Sequence, residues 1–435
     1  MTVIDLGELR GAVEPEPPRP PRAVGRPLRV ALAGAVALLT LAASAPVARP
    51  ASAVVPGGPG VEVLLVGGGR LYVAVPETPG SGGTRGVTVY ATPAGAGGVL
   101  RPLWRTSVPG GEGLFQVQEH GGFVLITGRR DDRVAETVAL DAATGRQRWR
   151  QPGFPTPTVG GGLLLSGIVE GETTELLRVV DLPSGRLRWS VPVDRGRTAH
   201  HYQGAEIDRV VLIPESGRIE ARDAGSGAVL RAGDPHPAGS PGYQSASLAG
   251  DLLLLTAHDG IGGSRRVTAY GLAVLDRRWE LDLPPTQSLM ECGDLLCVGS
   301  QEAGLLALDP ATLRPRWVNP RWQWVAAVRG DRLLVAADGM RGATVEFAVL
   351  DAATGRTVAE LGGWEMVPNQ DPDGPLFGIR RTREGGLLVA ELDPARAVAR
   401  WLDVLPEIPG ECHSAGRDLV CRRPGGTYGW WRLPR

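Results

Sequence analysis

The sequence contains no lysine: all 46 of its basic side chains are arginine, a pattern of GC-rich coding more than of chemistry. Acidic residues number 47 and the formal net charge is −1, so no field of one sign draws the chain toward nucleic acid. Cysteines are few, at 292, 297, 412 and 421, and none stands in a Cys-x-x-Cys pair. The six histidines form no His-x-x-x-His or His-Glu-x-x-His spacing, and His200 and His201 are neighbours that a strand would point to opposite faces. A designed metal site therefore has no ligand set. No Gly-x-Ser-x-Gly nucleophile elbow occurs. Glycine triplets such as Gly67–Gly69 fall between two strands, not before a helix, which removes phosphate cradling.

Glycine (62) and proline (37) are abundant among the 435 residues, about twice the average share. Such density means many turns and many short strands, and it excludes a long-helix protein. One apolar run stands apart. Val30 to Ala48 carries no charge over 19 residues, follows five arginines, and is closed by Arg49. As a helix it would be about 28 Å long, close to the hydrocarbon thickness of a bilayer. It reads as a single transmembrane signal-anchor, with residues 1–29 a cytoplasmic tail and everything after Arg49 exported to the cell envelope. A cleaved signal peptide is the rival, since Ala-Ser-Ala occurs at 42–44 and 51–53, and both readings export the same domain. Residues 49–60 read as a small-residue linker without strand pattern.

Beyond the linker the chain repeats itself. The clearest copy runs from Ala139 through Asp141, Thr144 and Gly145 to Trp149; a second holds Asp181, Gly185 and Trp189, and a third Asp309 and Trp317. Asp223 with Gly227 and Asp351 with Gly355 mark copies whose tryptophan position is Arg231 or Ala359. Trp104, Trp279 and Trp401 close further copies with weaker turns. The eight copies recur about every 42 residues, a period of solenoids or propellers. Within one period the apolar runs are four to six residues long and bounded by turn residues, as in Leu163–Leu165, Leu252–Leu255 and Leu333–Val335. These read as buried strands, four to a period, and no period contains a helical pattern. The expected fold is all-β: a propeller of about eight four-stranded antiparallel blades over residues 61–435.

The motif has a mechanical reading. Asp and Thr-Gly suit a tight turn between third and fourth strands, where the Asp and Thr side chains bond local amides. The tryptophan then projects from the outer strand onto the neighbouring blade. At these residues the chain resembles the quinoprotein-like β-propeller family, whose docking repeat is Ala-x-Asp-x-x-Thr-Gly-x-x-x-Trp. The resemblance implies one of two functional types. One comprises secreted dehydrogenases that bind pyrroloquinoline quinone and calcium. The other comprises non-catalytic propellers, including the outer-membrane assembly scaffold serving β-barrel insertion. The enzymes carry adjacent cysteines over the quinone, and this sequence has no such pair. The expectation is thus a non-enzymatic binding module without cofactor, bound to a protein or envelope component, with the quinone-dependent dehydrogenase as the alternative.

Three local expectations complete the reading. Trp322 and Trp324 open the seventh blade, where first strands line a channel, and stand as channel-face ligand positions. The C-terminal residues from Glu411 look like three further strands, with Val61–Val66 the expected partner that closes the ring. Cys292–Cys297 and Cys412–Cys421 are expected to pair within two hairpins, Cys292 directly opposite Cys297, because each second cysteine follows an Asp-Leu-Leu or Asp-Leu-Val start of a second strand.

Overall fold

The runs Leu163–Leu165, Leu253–Leu255 and Leu333–Val335 become strands with almost no exposed surface. Their side chains alternate between two cores. Leu163 and Leu165 join one hydrophobic cluster and Leu164 the next, and Leu253 and Leu255 separate from Leu254 in the same way. A strand covered on both faces needs no polar side, which is why these segments read as continuous apolar runs. The computed structural model describes residues 30–34, 50–67, 69–77, 83–110, 113–129, 135–168, 175–193, 198–213, 218–233, 245–258, 263–337, 344–371, 373–406, 408 and 411–435. Residues 50–435 form one compact unit and 1–49 another.

Among the described residues, eight antiparallel four-stranded sheets follow one another along the chain. Sheet I comprises Glu62–Val66, Arg70–Pro76, Thr84–Ala91 and Arg101–Pro109; sheets II to VIII span residues 114–152, 154–193, 198–233, 245–283, 287–319, 324–364 and 365–405. Sheets III and IV touch through one parallel bridge, Thr158 to Ile207, and VII and VIII share the ten-residue strand Thr357–Met366. A further sheet, IX, is made from both ends of the described chain: Cys412–Ala415, Asp418–Arg422 and Tyr428–Arg432, completed by Ala51–Val55. A hydrophobic cluster lies between each consecutive pair of sheets from I to IX. One more, holding Ala53, Val55 and Trp430 with Val63, Leu65 and Leu71, joins IX back to I.

The closing strand differs from the expected one. Val61–Val66 is needed as the inner strand of sheet I, and the partner of the C-terminal segment is Ala51–Val55, paired from Ala51–Arg432 to Val55–Tyr428. The linker reading of residues 49–60 is therefore corrected. Ala-Ser-Ala has little strand propensity of its own. It becomes a strand because a waiting edge supplies the ladder and a neighbouring sheet buries Ala53 and Val55. Ser52 seals the join: its amide donates to the Gly95 carbonyl, its own carbonyl accepts from Gly98, and its hydroxyl accepts from Gly97.

Both expected disulfides form, and each ties the first hairpin of its sheet, VI or IX. Cys412 and Cys421 are directly opposite, with Cα atoms 4.1 Å apart. Cys292 instead faces Leu295 across the tight turn, so its bridge runs diagonally to Cys297 at 5.8 Å. Four intervening residues place the second cysteine one pleat beyond the opposed position, on the same face.

The segments read as a cytoplasmic tail (1–29) and a signal-anchor (30–48) lie mostly outside the described residues; residues 30–34 are helical. Among the described residues no helix is long and apolar enough to cross a membrane.

Candidate functional site

The recurring motif is the constellation that the structure places most consistently. In sheet II, Asp141 ends the third strand and its carboxylate accepts from the Thr144 amide (3.0 Å), the Thr144 hydroxyl (2.8 Å) and the Ala143 amide (3.2 Å). The Gly145 amide donates to the Asp141 carbonyl at 2.8 Å, which closes the turn. Arg148 on the outgoing strand donates to the other carboxylate oxygen at 3.0 Å. Asp181, Asp309 and Asp351 build the same turn with Ser184, Thr312 and Thr354. Ala139, buried on the third strand, lies opposite Trp149.

Five of the motif tryptophans are used by the following sheet, not their own. The Trp149 indole donates to the Leu182 carbonyl at 2.7 Å and lies flat on the Asp181–Gly185 turn. Trp104, Trp189, Trp279 and Trp317 donate likewise to Ala142, Ala224, Pro310 and Ala352, each the residue directly after the turn aspartate. That acceptor is a main-chain carbonyl, so no side-chain pattern announces it. The nearest sequence sign is the aspartate one position earlier. Gly185 makes the contact close: a Cβ there would stand 2.6 Å from the Trp149 ring. A β-bulge follows the tryptophan's pairing position in each of these sheets, and this aims the ring outward at its neighbour.

Departures from the motif are equally regular. Arg231 stands where a tryptophan would dock on sheet V, and the turn that would receive it has Leu275 in the left-handed position (φ 57°). Arg231 reaches the same kind of acceptor, the Ala273 carbonyl at 3.3 Å. Ala359 fills the position in sheet VII, where the fully buried Trp364 packs against Gly378 of sheet VIII instead. Trp401 occupies the motif position in sheet VIII, opposite Ala390, yet it is 71% exposed. Its grouping with the docked tryptophans is corrected here. Sheet IX has no third-to-fourth-strand turn, because the chain's two ends take its place.

The reading of Trp322 as a channel-face position is corrected as well. Trp322 precedes the strand Trp324–Arg329 and is 1% exposed, buried in the cluster between sheets VI and VII beneath Arg321. Trp324 is half-buried against the next cluster. Cysteines 292, 297, 412 and 421 are buried in the cores between sheets, and so cannot roof a planar quinone. Among the described residues no three His, Cys, Asp or Glu side chains gather to hold a metal ion. Two open clefts lie at the strand-turn ends, about 410 Å³ beside Arg329, Glu391, Asp393 and Arg417, and about 370 Å³ beside Asp251, Glu291 and Asp294. In the first, Arg417 is already paired with Glu391 at 3.0 Å.

The turn carboxylates are tuned toward the charged form. The Thr144 hydroxyl, with help from Arg148, lowers Asp141 from 3.8 to about 2. Asp181, Asp309 and Asp351 shift the same way, led by the Ser184, Thr312 and Thr354 hydroxyls. A depressed folded-state value contributes stability that is present above the unfolded value and lost as pH falls through the folded one. Urea midpoints are therefore expected to hold down to about pH 4 and then to fall toward pH 2 as the turns protonate together. Asp141→Asn should flatten part of that fall; an unchanged profile would refute the coupling.

Comparison with known proteins follows these repeats. Residues 85–235 match the family described as outer membrane protein assembly factor BamB. No curated protein matches the chain. Among solved structures, BamB from Moraxella catarrhalis is similar at 14% identity over 88% of this chain and 97% of that one, with a TM-score of 0.43. The computationally designed Ika8 protein is similar at 12% identity over 88% and 99%, also at 0.43. A quinohemoprotein alcohol dehydrogenase from Pseudomonas putida HK5 is similar at 13% identity over 65% and 61%, at 0.36. The family match, the fixed positions of the repeat and the docking they perform are consistent with the PQQ-repeat β-propeller family, whose signature runs from the outer half of sheet I through sheet IV.

Proposed function

We propose that this chain is a membrane-anchored, extracytoplasmic propeller of nine blades that acts as a non-enzymatic scaffold for a protein of the cell envelope. The reading rests above all on the use of the repeated residues: aspartate and hydroxyl are spent on holding their turn, and glycine and the docked indoles on joining one blade to the next. What is left for function is the rim and the turn faces, which suit a protein partner. The match of residues 85–235 to an assembly-factor family supports the same reading. The described sheets I to VIII together with the end-made sheet IX support nine blades, one more than the eight fourth-strand copies in the sequence. The anchor places residues 1–29 in the cytoplasm and the ring outside.

The buried cysteines and the absence of an adjacent pair argue against quinone binding, so neither cofactor nor calcium is part of the proposal. Photo-crosslinking from rim positions in the native membrane is expected to capture one discrete envelope protein. Dye-coupled oxidation of an alcohol or sugar by the full chain, after addition of pyrroloquinoline quinone and calcium, would overturn the reading.

A further inference from the structure

We propose that the cleft of about 370 Å³ between sheets V and VI docks an arginine-bearing segment of a partner protein. This rests on the scaffold reading and adds to it the chemistry of one contact. The floor of the cleft is apolar, with Ala249, Leu252 and Leu296, and its rim carries the carboxylates of Asp251, Glu291 and Asp294. Among the described residues no basic side chain lines it. Glu291 accepts from the Gly250 amide at 3.2 Å, and Asp251 and Asp294 have no ion-pair partner among the described residues. Arg277 and Arg278, on the neighbouring turn, are held by Glu280 and Asp276.

The molecule holds a second copy of this cleft, between sheets VII and VIII. Each is walled by an Asp-Pro-Ala turn, 309–311 in one and 393–395 in the other, and by the first hairpin of the preceding sheet. The two hairpins align residue for residue. Ala249 pairs with Leu252 across Gly250-Asp251, and Arg329 pairs with Arg332 across Gly330-Asp331. Arg329 therefore stands at the position of Ala249, and Arg332 at that of Leu252. Arg329 lines its cleft and donates to the Gly374 carbonyl of sheet VIII at 3.2 Å. Arg332 pairs with Asp331 at 3.1 Å and with Asp351 at 2.8 Å. Between V and VI both arginines are replaced by apolar residues while the carboxylates remain. The group that fits is a guanidinium on an apolar stem: the stem covers the floor, and the N–H fork meets the rim. Charge complementarity of this kind favours a basic segment over a neutral one of the same shape.

The test titrates the full chain in detergent into a dye-labelled peptide, Gly-Leu-Arg-Leu-Gly with a blocked carboxyl terminus, and follows anisotropy. The same peptide with citrulline in place of arginine keeps the shape and loses the charge. The arginine peptide is expected to bind about tenfold more tightly at low salt, and the difference should shrink as salt rises. Glu291→Gln combined with Asp294→Asn, both on exposed side chains, should remove the preference and leave the urea midpoint unchanged. Ala249→Arg, which copies Arg329, should fill the cleft from within and also remove it. Equal binding of the two peptides overturns the proposal, as does a preference that survives either variant. Absence of binding at millimolar concentrations overturns it too. None of these results touches the scaffold reading, which the oxidation assay tests separately.

Discussion

Gly355→Val is expected to destabilise the propeller by several kcal/mol and to open the join between sheets VI and VII. Two physical terms add at this position. Gly355 has φ 67°, a left-handed conformation that costs an ordinary L-residue about 1–2 kcal/mol. A Cβ would also stand 2.3 Å from the Trp317 ring, and the ring cannot retreat because its N–H is held by the Ala352 carbonyl. Overpacking of that kind typically costs a further 1–3 kcal/mol, so a total of about 2–5 kcal/mol is expected. Urea unfolding of wild type and variant measures it. A loss under about 1 kcal/mol would mean that the indole does not lie on the turn.

Trp149→Ala carries the second large effect, and its value lies in the contrast with Trp401→Ala. Trp149 is 7% exposed, donates to the Leu182 carbonyl, and packs with Leu163, Leu165 and Val180. Truncation removes the ring, leaves a cavity and strands the carbonyl, for an expected loss of about 3–5 kcal/mol. Trp401 occupies the same position in its own repeat but is 71% exposed, so its truncation should stay within about 0.5 kcal/mol in detergent solution. Equal losses in the two variants would show that Trp401 is docked after all.

The repeat was legible because its chemistry is local. Asp141, Thr144 and Gly145 make a turn with one another, and a turn of five residues leaves its mark within those residues. The same holds for the two disulfides, whose partners lie five and nine residues apart on neighbouring strands. Trp322 shows the limit. An aromatic beside a first strand carries no sign of whether it faces a channel or a neighbouring sheet, and burial in the core between VI and VII depends on residues some thirty positions away.

From the sequence alone came the strand-and-turn character of the chain, the period, the turn residues, the docking tryptophans and the cysteine pairs. All of these follow from interactions within a hairpin or from the repetition of one. Tertiary structure alone decided which strand closes the ring, and that Trp401, at the same position of its repeat as the docked tryptophans, has no receiving turn in the next sheet. Ala51–Val55 has almost no strand signal and is ordered only by the unpaired edge of Tyr428–Arg432, more than 370 residues away in the chain. Closure joins the two ends of the sequence. No local propensity can report it, because the free energy that drives it is that of an exposed sheet edge existing only once the other blades are in place.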